Sequence, residues 1–521
     1  MANTLNLGNG NWGVKDSSLL GYKNRSNGRF LPETFDVSRG SAGTRVNQSG
    51  LIESPEEILS GELVTNGDFT TDSDWTINDW IISGGSLNGS ASTGIVFQDN
   101  LGATIGKTYK VTLEISNYVS GSIRFKVGGS SYENIASSNG IQEFYFVAAT
   151  SADNILFSVE SVYTGSIDNV SVVEVNRDNL ARIDYLDDAA GVLLTEPQST
   201  NLVTDSNDFS DASWVKQGFG TATAPTVTSN FAISPDGNLN ADRVIFDLNG
   251  GSTSDDFSQM NWVGSILNGD ASASVYIKSN TNESYVMSFT TPSGSARQIT
   301  VTPNWQRFST FTLGISQSPT LRIRLRSGIE STSDYADVSI YGAQIEELSY
   351  PTSYIPTYGA VRTRLQDSVT GAGTVSDFND SEGVLFVEIS FLSKSNGTEQ
   401  FKSISINDGS TSNIVTFESR SVENELKVII RASGVQVMTS TQVLTDLTSM
   451  VKIAIKWKEN DFSWWVNGVE VATDNIGLTP IGLSNLSLDG GGLGDFFGKT
   501  SQVQVFNTAL SDFELQQLTT I

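Results

Sequence analysis

Leu63-Val64-Thr65-Asn66-Gly67-Asp68-Phe69, closed by Trp75, decides the fold because its pattern returns as Leu202-Val203-Thr204, Asp208-Phe209 and Trp214. Each copy is followed by short segments that alternate apolar and polar residues, the period of a half-buried strand. After the first copy these are 109–115, 122–127, 143–147, 154–159 and 168–175. After the second, 272–278 stands in the place of 109–115, 305–308 lies near that of 143–147, and 337–340 echoes 168–172. Strands at this spacing, with no helical period between them, specify antiparallel sandwiches. The matching order makes the two segments duplicates of one sandwich.

Composition agrees. Hydrophobic residues make up 38% of the 521 and charged residues 17%, with 48 Gly, the balance of turn-rich folded β-structure and not of a disordered chain. The length allows several domains, each with its own core. Lys+Arg 31 against Asp+Glu 58 gives a net charge of -27, which repels phosphate backbones and argues against nucleic acid as a partner. The chain has no His and no Cys. That removes Ser-His-Asp triads, His-ligated zinc, thiolate nucleophiles and disulfides. No run of about 18 apolar residues predicts a membrane span. The N-terminus lacks a signal-peptide core, so export by that route is not expected.

The rest of the chain reads outward from the repeat. Residues 1–60 are Gly- and Asn-rich without a clear period and read as an extended arm, ordered on docking. Residues 61–176 form the first jelly-roll module, 177–200 a connector, and 201–350 the second module. Residues 351–381 hold a Pro- and Tyr-rich strap and linker, stiffened by Pro351 and Pro356. Residues 382–521 form a third sandwich. There, Asn467-Gly468 predicts a two-residue hairpin turn, pairing Val466 with Val469 and Trp464 with Val471. This puts Trp464 on the inward face and Trp465 on the opposite one.

Four phrases resemble bacteriophage tail-fibre and appendage proteins: 38–53, then 182–185 with 193–202, then 353–364, and finally 505–515. The last resembles the closing strand and short helix of laminin-G/concanavalin-like lectin domains, and the modules resemble carbohydrate-binding jelly-rolls. In that family the first two phrases lie close together; here the first module sits between them, as if inserted. The resemblance implies a non-catalytic virion component, made in the host cytoplasm and often homotrimeric. It would contact host-surface glycans and, through the N-terminal arm, other virion proteins. A purely structural virion role and a polysaccharide depolymerase are the alternatives.

The candidate site residues follow. Trp75 and Trp214 recur with an apolar strand and read as core aromatics, with a sugar-stacking platform as the alternative. Trp464 also reads as core. Trp465 is either a glycan contact or buried against a neighbouring sheet or subunit, burial being favoured. Leu321-Arg322-Ile323-Arg324-Leu325-Arg326 places three guanidinium forks on one strand face. They suit acidic sugars or a partner's carboxylates, against a bland reading as intramolecular ion pairs. No cofactor is expected. Structural calcium stays open at Asp187-Asp188, Asp205 with Asp208, and Asp255-Asp256, against a role for these acids in turns.

Overall fold

The computed structural model describes residues 4–15, 18–24, 30–135, 139–150, 153–329, 331–394 and 402–521. Almost all of the regular structure is antiparallel strand, arranged in sandwiches, with one short helix, Asp512–Thr519, among the described residues. Two compact units are formed, one of residues 56–177 with 228–243, the other of the remainder. No described helix is long and apolar enough to cross a membrane.

The first module is built on two long strands, Thr108–Val127 and Asn154–Asn176, paired along their length. Their register breaks between Ser116 and Ile123, so the sheet bends there and its two halves, with different outer partners, form the two layers of the sandwich. Gly121 makes the break possible: its φ is +90°, and a Cβ there would lie 2.1 Å from the Val162 carbonyl oxygen. Phe69, Trp75, Val96, Val111, Phe125 and Phe157 fill the space between the sheets.

The second module has the same plan with the long strands cut in two. One sheet runs, in spatial order, Val215–Phe219, Phe257–Val263, Thr320–Arg326, Tyr285–Thr290 and Ala296–Val301. In the other, Gly269–Ser279 lies between Gln306–Ile315 and Tyr335–Glu346. The duplicated phrase does the same work twice. The indole N–H of Trp75 donates to the Asn66 carbonyl at 3.0 Å and that of Trp214 to the Asp205 carbonyl at 3.0 Å, both nine residues back. Phe69 packs on Trp75 at 5.2 Å and Phe209 on Trp214 at 4.8 Å. Both indoles are buried and act as the core aromatics that their recurrence predicts.

The third sandwich opposes a sheet built on Glu382–Phe391, Val451–Lys458 and Gly498–Phe506 to one built on Ser403–Asn407, Ile414–Ser419 and Glu425–Ala432. The N-terminal segment departs from the expected arm. Leu5–Gly8 pairs with Gly498–Phe506, and Ser18–Asn24 and Phe30–Ser38 extend the sheet beyond it. Leu5, Leu7, Leu19 and Phe35 are buried in the third core. The arm reading of residues 1–3, 16–17 and 25–29 lies outside the described residues. The connector differs too: Arg182–Asp184 pairs with Val192–Thr195, which pairs with Gly498–Phe506. The strap is held along the second module, where the Tyr354 hydroxyl meets Ser206 Oγ at 2.6 Å and Asn207 Oδ1 at 2.7 Å.

Three of the phrases that carry the phage resemblance meet in one buried ionic cluster. Arg39 Nη1 lies 2.7 Å from Asp367, Arg182 Nη1 2.6 Å from Glu196, and Arg364 Nη1 2.9 Å from Glu196, while Arg182 also pairs with Asp367. Gly43 sits among the three arginines, where a Cβ would come within 3.0–3.2 Å of each. Glu346 accepts from Thr352 N at 2.9 Å, and Thr352 Oγ1 accepts from Arg364 at 3.0 Å, so Thr352 links a third buried carboxylate to the cluster. Burial pushes the Glu196 carboxyl up, but Arg364 and Arg182, with the Ser353 hydrogen bonds, outweigh it and hold it down at about 2. Its contribution to stability is therefore complete above the ordinary value of 4.5 and is lost as pH falls toward 2. Urea midpoints measured down this range should fall, and Glu196→Gln should flatten the decline. A wild-type midpoint that stays level to pH 2 would refute this account.

Candidate functional site

The outer face of the second module's five-stranded sheet gathers the three arginines. Leu321, Ile323 and Leu325 face the core, so alternation sends Arg322, Arg324 and Arg326 outward. Register then names their neighbours. Gln217 pairs with Gln259, Gln259 with Arg324, Arg324 with Ser288, and Ser288 with Gln298. An amide, a second amide, a guanidinium, a hydroxyl and a third amide thus form one unbroken polar row across all five strands. At about 4.8 Å between strands the row spans about 19 Å, longer than a single sugar ring.

The flanking rows differ. On one side Phe219 stacks on Phe257 at 4.5 Å, and the Arg326 guanidinium lies 5.9 Å from the Phe257 ring. On the other, Arg322 Nε donates to Asn261 Oδ1 at 3.3 Å. Gln259 Nε2 donates to Gln217 Oε1 at 2.9 Å and Arg326 Nε to the Ser254 carbonyl at 2.8 Å. All three arginines are engaged by the protein, and Arg324 is only 8% exposed. Guanidiniums already held in place lose little rotamer freedom when a ligand arrives. Phe219 at one end is about half exposed and offers an apolar rim. Ser288 is fully buried and Gln259 only 7% exposed, so the row offers hydroxyl groups its exposed ends, Gln217 and Gln298, with Phe219 beside the first to stack an apolar sugar face.

The other candidates lie elsewhere. Trp465 is 6% exposed and packs with Phe386, Ala454, Phe506, Leu510 and Leu515 beneath the C-terminal helix. That helix carries a capping box between Ser511 and Glu514. Trp465 closes a second small core and is buried within the chain. Trp464 is fully buried in the main core, as read. The hairpin turns at Asn467-Gly468 with φ of 49° and 79°, and Val466 pairs with Val469, but a bulge sets Trp464 opposite Ala472 instead of Val471.

The acid clusters serve turns and pairs. Asp208 Oδ1 accepts from Ser210 N at 2.9 Å, Asp205 Oδ1 from Gly359 N at 3.0 Å and Asp188 Oδ1 from Ala190 N at 2.8 Å, while Asp187 pairs with Lys499. Hydrogen bonds from the Thr221 backbone and from Thr253 hold Asp256 well below the usual carboxylate range. Among the described residues, no group of three or more acids is placed to hold a metal ion.

Sequence reasoning missed Gln217, Gln259, Ser288 and Gln298. The signal was present in the alternation of Phe257-Ser258-Gln259-Met260-Asn261-Trp262, but only the register shows which of its polar residues stands beside Arg324.

No family model matches the chain, and no curated protein matches it. Solved structures do align. The CBM40 of the Ruminococcus gnavus IT-sialidase, bound to alpha2,3 sialyllactose, is 19% identical, with a TM-score of 0.24 over 27% of this chain and 84% of that one. Domain 4 of AbnA, a GH43 extracellular arabinanase from Geobacillus stearothermophilus, in complex with arabinotriose, is 10% identical, with a TM-score of 0.23 over 32% of this chain and 80% of that one. The N-terminal CBM22-1-CBM22-2 tandem domain of Paenibacillus barcinonensis Xyn10C is 9% identical, with a TM-score of 0.19 over 56% of this chain and 99% of that one. Likenesses this low carry no weight in assigning function. The strands and their register define the chain as a tandem β-sandwich protein with a polar row across the outer face of one sheet.

Proposed function

We propose that this chain is a non-catalytic polysaccharide-recognition protein, a subunit of a phage fibre or appendage that binds host-surface glycan. The observation that carries the reading is the row Gln217–Gln259–Arg324–Ser288–Gln298 on the outer face of a sheet, with its ends Gln217 and Gln298 exposed and Phe219 beside the first. A neutral spacer domain has no use for a five-strand line of hydrogen-bonding side chains beside a half-exposed aromatic. Sugars present alternating hydroxyls and apolar C–H faces, and the row and the Phe219 rim match both. Affinity per face is modest, and display on a homo-oligomer, a trimer being favoured, multiplies it through effective concentration.

The second reading is a structural virion protein. It is supported by the buried ionic cluster, which uses three of the phage-like phrases for packing and not for contact outside the chain. The two readings separate on host cells. The full chain should bind them saturably, periodate treatment of their glycans should abolish binding, and Gln217→Ala with Gln298→Ala, at the exposed ends of the row, should weaken it about tenfold, since each neutral hydrogen bond is worth about 0.5–1.5 kcal/mol. Binding that survives both periodate and the double substitution favours the structural reading.

A further inference from the structure

The first module carries the same five-strand face with different chemistry on it. Its spatial order is Thr76–Ile77, Ile95–Asp99, the first half of Asn154–Asn176, the second half of Thr108–Val127, and Glu133–Asn134. Val96, Phe125 and Phe157 face the core, so Ile95, Phe97, Leu156, Ser158, Arg124 and Lys126 face outward. Register sets Phe97 beside Leu156 and Leu156 beside Lys126; in the next row, Ile95 stands beside Ser158 and Ser158 beside Arg124. An apolar floor therefore runs into a cationic edge.

Tyr132, one residue before the edge strand, lies over that edge. Its ring centre is 4.3 Å from the Arg124 guanidinium and 5.0 Å from the Lys126 ammonium, and the residue is 38% exposed. The residue's partial exposure leaves part of the ring open to solvent. Arg124 is tied to Glu160 at 3.2 Å, whereas Lys126 has no acidic partner among the described residues.

We propose that this face is a second carbohydrate site, selective for sugars that bear a carboxylate. The exposed part of the Tyr132 ring takes the flat C–H face of a pyranose, and the Lys126 ammonium takes the carboxylate at its rim. Phe97 and Leu156 supply apolar ground for the next ring. In a chain of net charge -27, long-range attraction cannot recruit such a ligand, so recognition rests on these local contacts. The site does not depend on the second module's face.

The test uses the full chain on immobilised polygalacturonate, alginate, hyaluronan and polysialic acid, each beside its carboxyl-reduced form. At least one acidic polymer should bind, with its reduced form at least tenfold weaker. Lys126→Glu and Tyr132→Ala should each weaken binding at least tenfold with unchanged unfolding midpoints, and Lys126→Gln serves where the reversal disturbs folding. No binding to any of the four overturns the inference, as does binding that ignores carboxyl reduction or survives these substitutions. Acidic-polymer binding lost only with Gln217→Ala and Gln298→Ala also overturns it, while leaving the second module's face in place.

Discussion

Arg182→Ala is expected to destabilise the unit that holds the second and third sandwiches by about 3–5 kcal/mol, the cost of breaking a buried ion pair. Arg182 pairs with both Glu196 and Asp367, and it also donates to the Thr44 carbonyl at 3.0 Å and to Ser353 Oγ at 2.8 Å. Its removal leaves Asp367 and Glu196 with one guanidinium each in place of two, and a cavity between them. Desolvation makes each lost ionic contact expensive, and the side chains around the cluster are too buried for water to repay it. Arg45→Ala is the control. Arg45 pairs with Glu53 at 2.9 Å, but both side chains are partly exposed, so its loss should cost less than about 1 kcal/mol. Urea unfolding of the two variants decides the matter; equal losses would mean that the cluster packs without electrostatic consequence.

The cluster also marks how far sequence reaches. Alternation in 109–115, 122–127 and 320–326 was enough to orient those strands, because a period of two is local. The repeated Trp75 and Trp214 were legible as core for the same reason, each bonding a carbonyl nine residues back. What could not be read is whatever depends on distant partners. Arg39, Arg182 and Arg364 look like surface residues in a line of text, and only topology brings them to one point. Trp465 shows the same limit: its strand face was predicted, but the helix that covers it begins at Asp512. The polar row lies between these extremes. Each residue's outward direction follows from its own strand, whereas the neighbours across the sheet follow from pairing.

The N-terminal segment gives the sharpest test of the non-local part. Gly- and Asn-rich text without a period looks detachable, yet Leu5 pairs with Val505 and Leu7 with Val503, and both leucines are fully buried. Deleting residues 1–38 should leave the third sandwich unfolded or aggregated, for two separate reasons. The core loses Leu5, Leu7, Leu19 and Phe35, and large-to-small losses at such sites cost about 2–5 kcal/mol each. The strand Gly498–Phe506 also loses its partner over Gln502–Val505, and an unpaired apolar edge invites association with another chain. Leu7→Asp separates the two effects, since it keeps the edge covered and places a charge in the core. It should lower the unfolding midpoint sharply without promoting oligomers, whereas the deletion should do both. A detachable arm predicts the opposite, a truncated chain as stable and as soluble as the whole, with only attachment to the particle lost.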